Sequence, residues 1–335
     1  MAVVATGFFD GVHLGHRLVI DTLLRAAHER GEQSVVVTFW PHPRTVLQKD
    51  ARELRLLSSL QEKRDILSAM GVERVEVVDF SRDFRSLTAE QYLREWVIGR
   101  LGGTAVVLGY DNRMGSDGLP HDAIVPLAQS LGLDVIECGP VSGRQYPENR
   151  LAPLDPPHCR QWVPPSYVAE GGTDFQDTVS PEPAGYAISS TKIRAALERG
   201  DVEEAEAMLG YRYGLHGVVV AGNRLGRTLG YPTANMLLYE PLKLVPANGV
   251  YLVEVETLGG HFHGMTNVGV RPTVSGAGAR TIETHIFDFD ELIYGLDLRL
   301  RFITKIRDER RIDSLDALRA QLAADEAVCR AMLAK

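Results

Sequence analysis

The first 140 residues of the chain alternate apolar, strand-like runs with patterns of helical periodicity. The run Ala2–Thr6 is followed by a helical pattern from about His16 to Arg30, and the alternation then continues. Further strands are predicted at Ser34–Phe39, Arg74–Phe80, Thr104–Gly109 and Leu133–Cys138, and further helices at Ser59–Met70, Thr88–Gly102 and Asp122–Leu131. Strands separated by such helices predict an α/β fold, with a mostly parallel sheet covered by helices on both faces.

From about Tyr213 the pattern changes to successive strands and turns. Strands are predicted at Leu215–Ala221, Val250–Glu256, Phe262–Val268, Thr281–Phe289 and Leu296–Phe302. A final helix then begins at Asp313-Ser314, and its apolar stripe consists of Leu315, Leu318, Leu322 and Cys329. Strands without helices between them predict a mainly antiparallel sheet or closed β-barrel with a terminal helix.

A proline-rich stretch separates the two patterns. Residues 141–186 contain eight of the 17 prolines of the chain and show no steady period. This composition predicts an insertion that lies outside both cores. We therefore expect two domains, one over residues 1–200 and one over residues 211–335.

Composition narrows the classes of function. The 335 residues carry a formal charge of −8, which disfavours general nucleic-acid binding because phosphate backbones need a basic excess. The three cysteines form neither an even set nor a Cys-x-x-Cys motif. No apolar run approaches the ~18 residues of a membrane span, and we see no secretory signal. We expect a cytoplasmic protein that binds neither membrane nor nucleic acid and needs no obligatory protein partner.

The first candidate site is the turn between the first strand and the first helix, in the segment Thr6–His16. Its glycines allow the backbone to approach a ligand closely, and a helix N-terminus favours anions. His13 and His16, three residues apart, can donate hydrogen bonds to phosphate oxygens during phosphoryl or nucleotidyl transfer. The alternative interpretation is a glycine-rich turn with surface histidines.

A second candidate for anion binding is the segment Ile188–Arg194, which places hydroxyl groups at a helix N-terminus. Ordinary capping explains Ser190 or Thr191 alone. The two segments together resemble the nucleotidyltransferase superfamily, with its His-x-Gly-His and Ser-x-x-x-x-Arg signatures. The longer strings, with Phe39–Pro43 and Gly109–Gly115, resemble the FMN adenylyltransferase module of bacterial bifunctional riboflavin kinase/FAD synthetases. That resemblance implies a Rossmann-like first domain.

The third candidate site begins with the segment Gly222–Asn235. Its glycines permit a tight loop over phosphates, and the hydroxyl of Thr233 and the amide oxygen of Asn235 are hard ligands suited to Mg²⁺. A polar turn between strands is the alternative interpretation. Together with Asn267–Thr273 and Glu283–Phe289, this segment resembles the riboflavin kinase module of the same family.

The predicted strand Thr281–Phe289 carries a carboxylate beside aromatic residues. Alternation of side chains puts Glu283, His285, Phe287 and Phe289 on one face. The resemblance makes Glu283 the general base for the ribityl hydroxyl of riboflavin. An exposed strand glutamate is the alternative interpretation.

The resemblance implies two ATP-dependent, Mg²⁺-requiring steps: riboflavin is phosphorylated to FMN, and FMN is adenylylated to FAD. It assigns catalysis to Glu283, His13 and His16. It assigns ATP binding to Gly7, Phe9, Asp10, Ser189, Ser190, Thr191, Arg194, Gly222, Gly226, Arg227 and Gly230. It assigns flavin binding to Asp111, Asn112, Asn267, Arg307, Glu309 and Arg310, and Mg²⁺ binding to Thr233 and Asn235.

Two other functions stay open at the level of sequence. One is a riboflavin kinase whose first domain is impaired or uses another nucleotide acceptor. The other is a non-catalytic flavin-binding regulator. The joint presence of the two histidines, the two Mg²⁺ candidates and Glu283 speaks against the regulator.

Overall fold

A computed structural model of the protein describes residues 1–41, 54–81, 83–110, 112–139, 188–222, 225–271 and 279–334. The chain divides into two compact units. The first comprises Met1–Leu54 and Ser58–Ser189, and the second comprises Arg55–Leu57 and Ser190–Lys335. The predicted insertion, residues 141–186, lies outside the described residues. The domain limits 1–200 and 211–335 stay a prediction.

The first unit contains a five-stranded, wholly parallel sheet with the strand order β3-β2-β1-β4-β7. Its strands are β1 (Ala2–Thr6), β2 (Gln33–Trp40), β3 (Arg74–Asp79), β4 (Gly103–Gly109) and β7 (Asp134–Cys138). The short strands β5 (Arg113–Met114) and β6 (Leu119–Pro120) form a separate antiparallel pair. The predicted α/β fold is confirmed, and the order of its strands reverses beside β1.

Two helices of the first unit begin directly after the predicted residues Ser59 and Thr88, whereas two others begin at Leu14 rather than about His16 and at His121 rather than Asp122. These helices are α1 (Leu14–Arg30), α2 (Leu60–Ala69), α3 (Ala89–Gln91, continued as a π-helix over Tyr92–Arg100) and α4 (His121–Ser130). Ser59 and Thr88 each form a complete capping box, which satisfies backbone donors at the first turn. The π-helical continuation was not foreseen, because apolar periodicity does not distinguish it from an α-helix.

Both faces of the parallel sheet are buried. In β1, Ala2 and Val4 pack into one apolar cluster, and Val3 and Ala5 pack into the other. Successive side chains of a strand point to opposite faces, so a strand covered on both sides needs a continuous apolar run. The run Ala2–Thr6 has this character, and it ends where the chain enters the His-x-Gly-His turn.

The second unit is a closed antiparallel barrel with the strand order β10-β11-β12-β9-β8-β13. Its strands are β8 (Gly214–Val220), β9 (Ala234–Leu238), β10 (Gly249–Thr257), β11 (Gly260–Arg271), β12 (Ala279–Ile286) and β13 (Asp297–Arg307). Its helices are α5 (Ser190–Arg199), α6 (Val202–Leu209), α7 (Leu225–Thr228) and α8 (Leu315–Leu333). The barrel and the terminal helix are thus as predicted.

The second unit differs from the sequence prediction in several details. Strand β9 was not predicted, because it is only five residues long and directly follows the loop of glycines and Pro232. Strand β12 ends at Ile286 rather than Phe289, since Asp288 turns the chain with a left-handed φ of 55°. In α8, Leu315 is exposed, whereas Cys329 packs against the barrel.

Candidate functional sites

The turn after β1 has an unusual backbone. Phe9, Gly11 and Val12 have positive φ angles of 51°, 77° and 38°. A positive φ is strained for a bulky or β-branched residue, and strain of this kind clusters at functional sites. Gly7 lies close to the ring of Phe9, since a Cβ on Gly7 would be a tight 3.1 Å from that ring. The turn therefore holds one specific conformation ahead of α1.

The two predicted histidines lie against each other at the start of α1. The rings of His13 and His16 stack with centroids 3.7 Å apart and planes 14° apart. The His13 Nδ1 accepts a hydrogen bond from the backbone N–H of His16 at 3.3 Å, so His13 caps the helix. Burial, followed by the charges of His13 and Lys63, lowers the pKa of His16 well below its usual value. His16 is therefore neutral at pH 7.

The Nδ1 atom of His16 is buried and has no hydrogen-bond partner among the described residues. A buried polar atom without a partner is costly, and such atoms are concentrated where a ligand or a water completes the site. The structure thus brings together the two sequence-predicted histidines, one as a helix cap and one with an incomplete set of hydrogen bonds.

Asp10 supports the turn from below. It is 3% exposed, and its Oδ1 accepts hydrogen bonds from the backbone N–H and the hydroxyl of Ser58, at 3.0 and 3.3 Å. The Ser58 hydroxyl in turn accepts from the N–H of Gly11 at 3.0 Å. These bonds tie the strained turn to the residues that precede α2. The buried Asp10 thus contacts Ser58 directly, a contact that its sequence position does not reveal.

Lys63 is a residue of this site that the sequence analysis missed. It is fully buried, its Nζ donates to the Thr38 hydroxyl at 3.3 Å, and the same atom lies 3.7 Å from the ring centroid of Phe8. Burial lowers its pKa to about 8, although the charge of Asp10 acts in the opposite direction. A signal was present in the sequence, since Lys63 falls between apolar residues on the buried face of α2.

The Ser-x-x-x-x-Arg segment is divided between the two compact units. Ser189 ends the first unit, and the preceding carbonyl of Ile188 lies 3.8 Å from the position of a Cβ on Gly15. Ser190, Thr191 and Arg194 belong to α5 in the second unit. There the Nε of Arg194 donates to the carbonyl of Arg55 at 2.8 Å.

The flavin candidates of the first unit follow β4. Asn112 is half-buried and its backbone N–H donates to the carbonyl of Gly109 at 3.2 Å. Asp111 lies outside the described residues. The end of β4 adjoins the point where the strand order reverses, and α/β sheets bind ligands at such points.

Strand register brings three predicted residues together in the second unit. Asn235 of β9 pairs with Glu283 of β12, and Glu283 pairs on its other side with Asn267 of β11. Directly paired residues in antiparallel strands point to the same face with Cβ atoms about 5 Å apart. All three are half-buried, whereas the neighbouring Ala234 and Thr284 are buried. An amide, a carboxylate and a second amide therefore form one row.

The glycine loop lies next to this row. A Cβ on Gly222 would overlap the amide of Asn235, and a Cβ on Gly226 would overlap the carbonyl of Tyr231. Gly230 has a positive φ of 86°. A cavity is lined by Gly222, Arg227, Thr233, Asn235 and residues 289–294. The loop can pack this closely only because Gly222 and Gly226 lack side chains.

Two of the flavin candidates in the second unit meet over Gly269. A Cβ there would overlap a carboxylate oxygen of Glu309 and lie 3.1 Å from the amide nitrogen of Asn267. Glu309 also accepts a hydrogen bond from the amide of Asn248 at 2.9 Å. Asn267 of the polar row and Glu309 therefore both lie close to Gly269. Arg310 is exposed just beyond β13.

Arg307 has a different environment from Glu309. Its guanidinium forms a bidentate ion pair with Asp325 of α8, with an Nη2–Oδ2 distance of 2.7 Å and Nε–O distances of 2.9 and 3.0 Å. Asp325 is 3% exposed, so the pair fastens the terminal helix to the barrel. The sequence did not reveal this partner, since the two residues are 18 positions apart and on different elements.

His285 shares the outer face of β12 with Glu283, as predicted. Its ring contacts Phe287 with centroids 5.9 Å apart. Phe289 is not part of this face, because the strand has ended and the chain has turned at Asp288 before it.

Among the described residues, no group of three or more His, Cys, Asp or Glu side chains is arranged to hold a metal ion. The candidates Thr233 and Asn235 offer instead a hydroxyl and an amide oxygen. In the part of the chain that the structure describes, no helix is both long and apolar enough to cross a membrane.

A parallel sheet with a His-x-Gly-His turn at its first strand, joined in one chain to a barrel with a glycine loop and an amide–carboxylate row, defines a two-unit nucleotide-dependent transferase. Comparison with known proteins identifies the family within this class. The family model for FAD synthetase matches residues 1–146, and the model for riboflavin kinase matches residues 209–333. The chain belongs to the family of bifunctional riboflavin kinase/FMN adenylyltransferases.

Individual relatives are similar in sequence to this protein over nearly the whole chain. The bifunctional riboflavin kinase/FMN adenylyltransferase of Bacillus subtilis (strain 168) is 32% identical over 329 residues, covering 97% of this chain and 90% of that protein. That of Escherichia coli (strain K12) is 33% identical over 329 residues, covering 98% and 91%. A crystal structure described as a macrolide-efflux protein from Streptococcus pneumoniae has a TM-score of 0.79 and 32% identity, covering 98% and 93%.

Proposed function

We propose that this chain phosphorylates riboflavin to FMN in its second unit and adenylylates FMN to FAD in its first, using ATP in both steps. The observation that supports the proposal most is the row of Asn235, Glu283 and Asn267 on three neighbouring strands. A general base flanked by a candidate metal ligand and a candidate flavin contact is the arrangement that phosphoryl transfer to a hydroxyl needs.

In the kinase step, the oxygen of the ribityl hydroxyl attacks the γ-phosphorus of ATP while Glu283 accepts the proton of that hydroxyl. The products are FMN and ADP. The loop residues Gly222, Gly226, Arg227 and Gly230 enclose the phosphates, and Asn267, Glu309, Arg310 and Arg307 contact the flavin or support its binding surface. Arg307 acts from its ion pair with Asp325, which orders the segment that follows β13.

Mg²⁺ fits the residues present beside Glu283. Thr233 and Asn235 provide two hard oxygen donors, and Mg²⁺ commonly takes one or two protein ligands together with phosphate oxygens and waters. The Asn235 amide is confined by the backbone at Gly222, which limits its orientations. When bound, the ion would offset the phosphate charge of ATP.

In the adenylyltransferase step, a phosphate oxygen of FMN attacks the α-phosphorus of ATP, and pyrophosphate leaves. His13 and His16 stabilise the negative charge that develops on the phosphates. A neutral His16 can donate one N–H without adding a buried charge. In the first unit, nucleotide binding falls to Gly7, Phe9, Asp10 and Ser189, and flavin binding to Asp111 and Asn112. The cytoplasm stays the predicted location.

The test is product analysis with both half-reactions measured separately. The purified chain is incubated with riboflavin, ATP and Mg²⁺, and flavins are separated by chromatography. In Glu283→Gln, FMN formation from riboflavin is expected to fall about 10²–10⁴-fold, the usual effect of removing a general base. FAD formation from supplied FMN is expected to persist.

The matched control is Glu203→Gln, which changes an exposed glutamate on α6 and is expected to leave both rates unchanged. Wild-type kinase turnover in Glu283→Gln would remove the catalytic assignment. Accumulation of FMN without FAD in the wild type would select a kinase with an impaired first unit. Flavin binding without turnover would select a non-catalytic regulator.

A further inference from the structure

The glycine loop is joined to the strand of the proposed base by only a short ladder. Strands β9 and β12 pair at Glu283 with Asn235 and at Thr284 with Ala234, and no further pair extends the ladder toward Thr233. Thr233 therefore lies just outside the sheet, although it is a proposed Mg²⁺ ligand. Its position depends on what holds the loop beyond the last ladder pair.

The side chain of His285 forms a hydrogen bond to the loop just beyond the last backbone pair of β9 and β12. The Nδ1 of His285 lies 2.8 Å from the carbonyl oxygen of Pro232. A carbonyl oxygen only accepts, so Nδ1 carries the proton and donates it. Pro232 itself has no N–H with which to continue the ladder. The imidazole thus supplies a cross-strand hydrogen bond at a position where the backbone does not.

Two aromatic side chains contact the ring of His285. It packs edge-on against the rings of Tyr231 in the loop and of Phe287, with centroids 5.2 and 5.9 Å apart. The loop also closes on itself, because the Tyr231 N–H donates to the carbonyl of Gly226 at 2.8 Å. His285 therefore joins a preformed loop to the strand that carries Glu283.

We propose that His285 is a positioning residue for the Mg²⁺-bound nucleotide: its Nδ1–H···O bond to Pro232 keeps Thr233 and Asn235 in register with Glu283. The inference rests on the proposed kinase function and adds a residue to it. His285 does not take part in proton transfer. It acts through the Pro232 backbone on the residues that hold the ion and the phosphates.

The variants distinguish the contribution of the Nδ1–H hydrogen-bond donor of His285 from that of its aromatic ring. His285→Phe keeps an aromatic ring and removes the donor, His285→Asn places an amide N–H near the position of Nδ1, and His285→Gln carries an N–H that reaches further along the side chain. The control is His263→Phe, which changes an exposed histidine on β11. The dissociation constant of Mg·ADP is measured by calorimetry, and kcat and KM for ATP are measured with saturating riboflavin.

We expect His285→Phe and His285→Gln to weaken Mg·ADP binding by about five-fold, the size of one neutral hydrogen bond. KM for ATP should rise with them, while the dissociation constant of riboflavin stays within about two-fold. His285→Asn should recover most of the affinity, and the control should match the wild type. Should His285→Phe fail to fold, the comparison of Asn with Gln still isolates the position of the donor.

Unchanged Mg·ADP affinity in His285→Phe, or equal affinities in the Asn and Gln variants, would overturn the positioning role. Equal losses of riboflavin and Mg·ADP binding would also overturn it, because they indicate general disruption of the barrel. A wild-type chain without kinase turnover would instead refute the proposed function. The two failures are therefore distinguishable.

Discussion

Replacing Lys63 by methionine is expected to make the first unit more stable at neutral pH. The ammonium group is fully buried beneath the turn that carries the two histidines, with one hydrogen bond to Thr38 and one contact with the Phe8 ring. Removing a cation from water is costly unless a close anion compensates, and the charge of Asp10 offsets the effect of burial on the pKa of Lys63 only in part. Methionine has a similar length and volume without the charge.

The pKa of Lys63 sets the size of the effect. A pKa lowered from 10.5 to about 8 corresponds to about 3 kcal/mol, at 1.36 kcal/mol per pKa unit. Loss of the Thr38 hydrogen bond and of the contact with Phe8 offsets roughly 1–2 kcal/mol of this gain. We therefore expect Lys63→Met to raise the free energy of unfolding by about 1–2 kcal/mol at pH 7.

The dependence on pH has a definite sign. Below pH 8 the lysine is protonated in both folded and unfolded chains, so the full penalty of burial is present. As pH rises from 8 toward 10.5, the folded protein releases the proton and the unfolded chain retains it. Since stability rises with pH wherever the unfolded state binds more protons, the wild type gains stability over this range.

The assay is urea denaturation of the wild type and Lys63→Met at several pH values between 7 and 10.5. The difference between the two proteins cancels the other titrating groups that they share. This difference is expected to favour the variant at pH 7 and to shrink, or reverse, by pH 10.5. Lys192→Met, at an exposed lysine, serves as the control and should show no such trend.

A variant that is less stable than the wild type at pH 7 would refute the reasoning, because Lys63 would then contribute more through its contacts than its burial costs. A stability difference that does not change between pH 7 and 10.5 would refute the assigned pKa.

Two further predictions concern the histidine turn and the terminal helix. His16→Ala should lower FAD formation from FMN about 10²-fold, the usual effect of removing one transition-state donor, while FMN formation from riboflavin stays near wild type. Chromatography measures both half-reactions, and equal losses in the two rates would contradict this prediction. Asp325→Ala should destabilise the second unit by about 3 kcal/mol, because it leaves Arg307 without its buried partner. The control Asp316→Ala, at an exposed position of α8, should have little effect on stability. Equal thermal unfolding of the two variants would count against the role of the ion pair.

Local features could be predicted well from the sequence, because their causes are local. The capping boxes at Ser59 and Thr88 begin helices in the structure, since each involves only residues within one turn. The alternation of strands and helices in the first part of the chain indicated a parallel sheet covered on both faces. The change from helix-separated strands to successive strands indicated the change from parallel sheet to barrel.

Other features depended on residues far apart in the chain. Helical periodicity indicates the buried face of α2 on which Lys63 lies, but its contacts with Phe8 and Thr38 join three separate segments and no local pattern specifies them. The bond between Arg307 and Asp325 requires the angle at which α8 meets the barrel. Strand β9 exists because two neighbours pair with it, not because its five residues favour a strand by themselves.

By itself, the sequence determined which residues carry chemistry, because a carboxylate, an imidazole or a hydroxyl keeps its chemical character wherever the chain places it. Only the tertiary structure decided which of them act together. Asn235, Glu283 and Asn267 stand in one row because the closed barrel sets β9, β12 and β11 side by side in a particular register. A shift of one residue would send Glu283 to the opposite face, and register is decided by the burial of all the strands together rather than by the residues of any one.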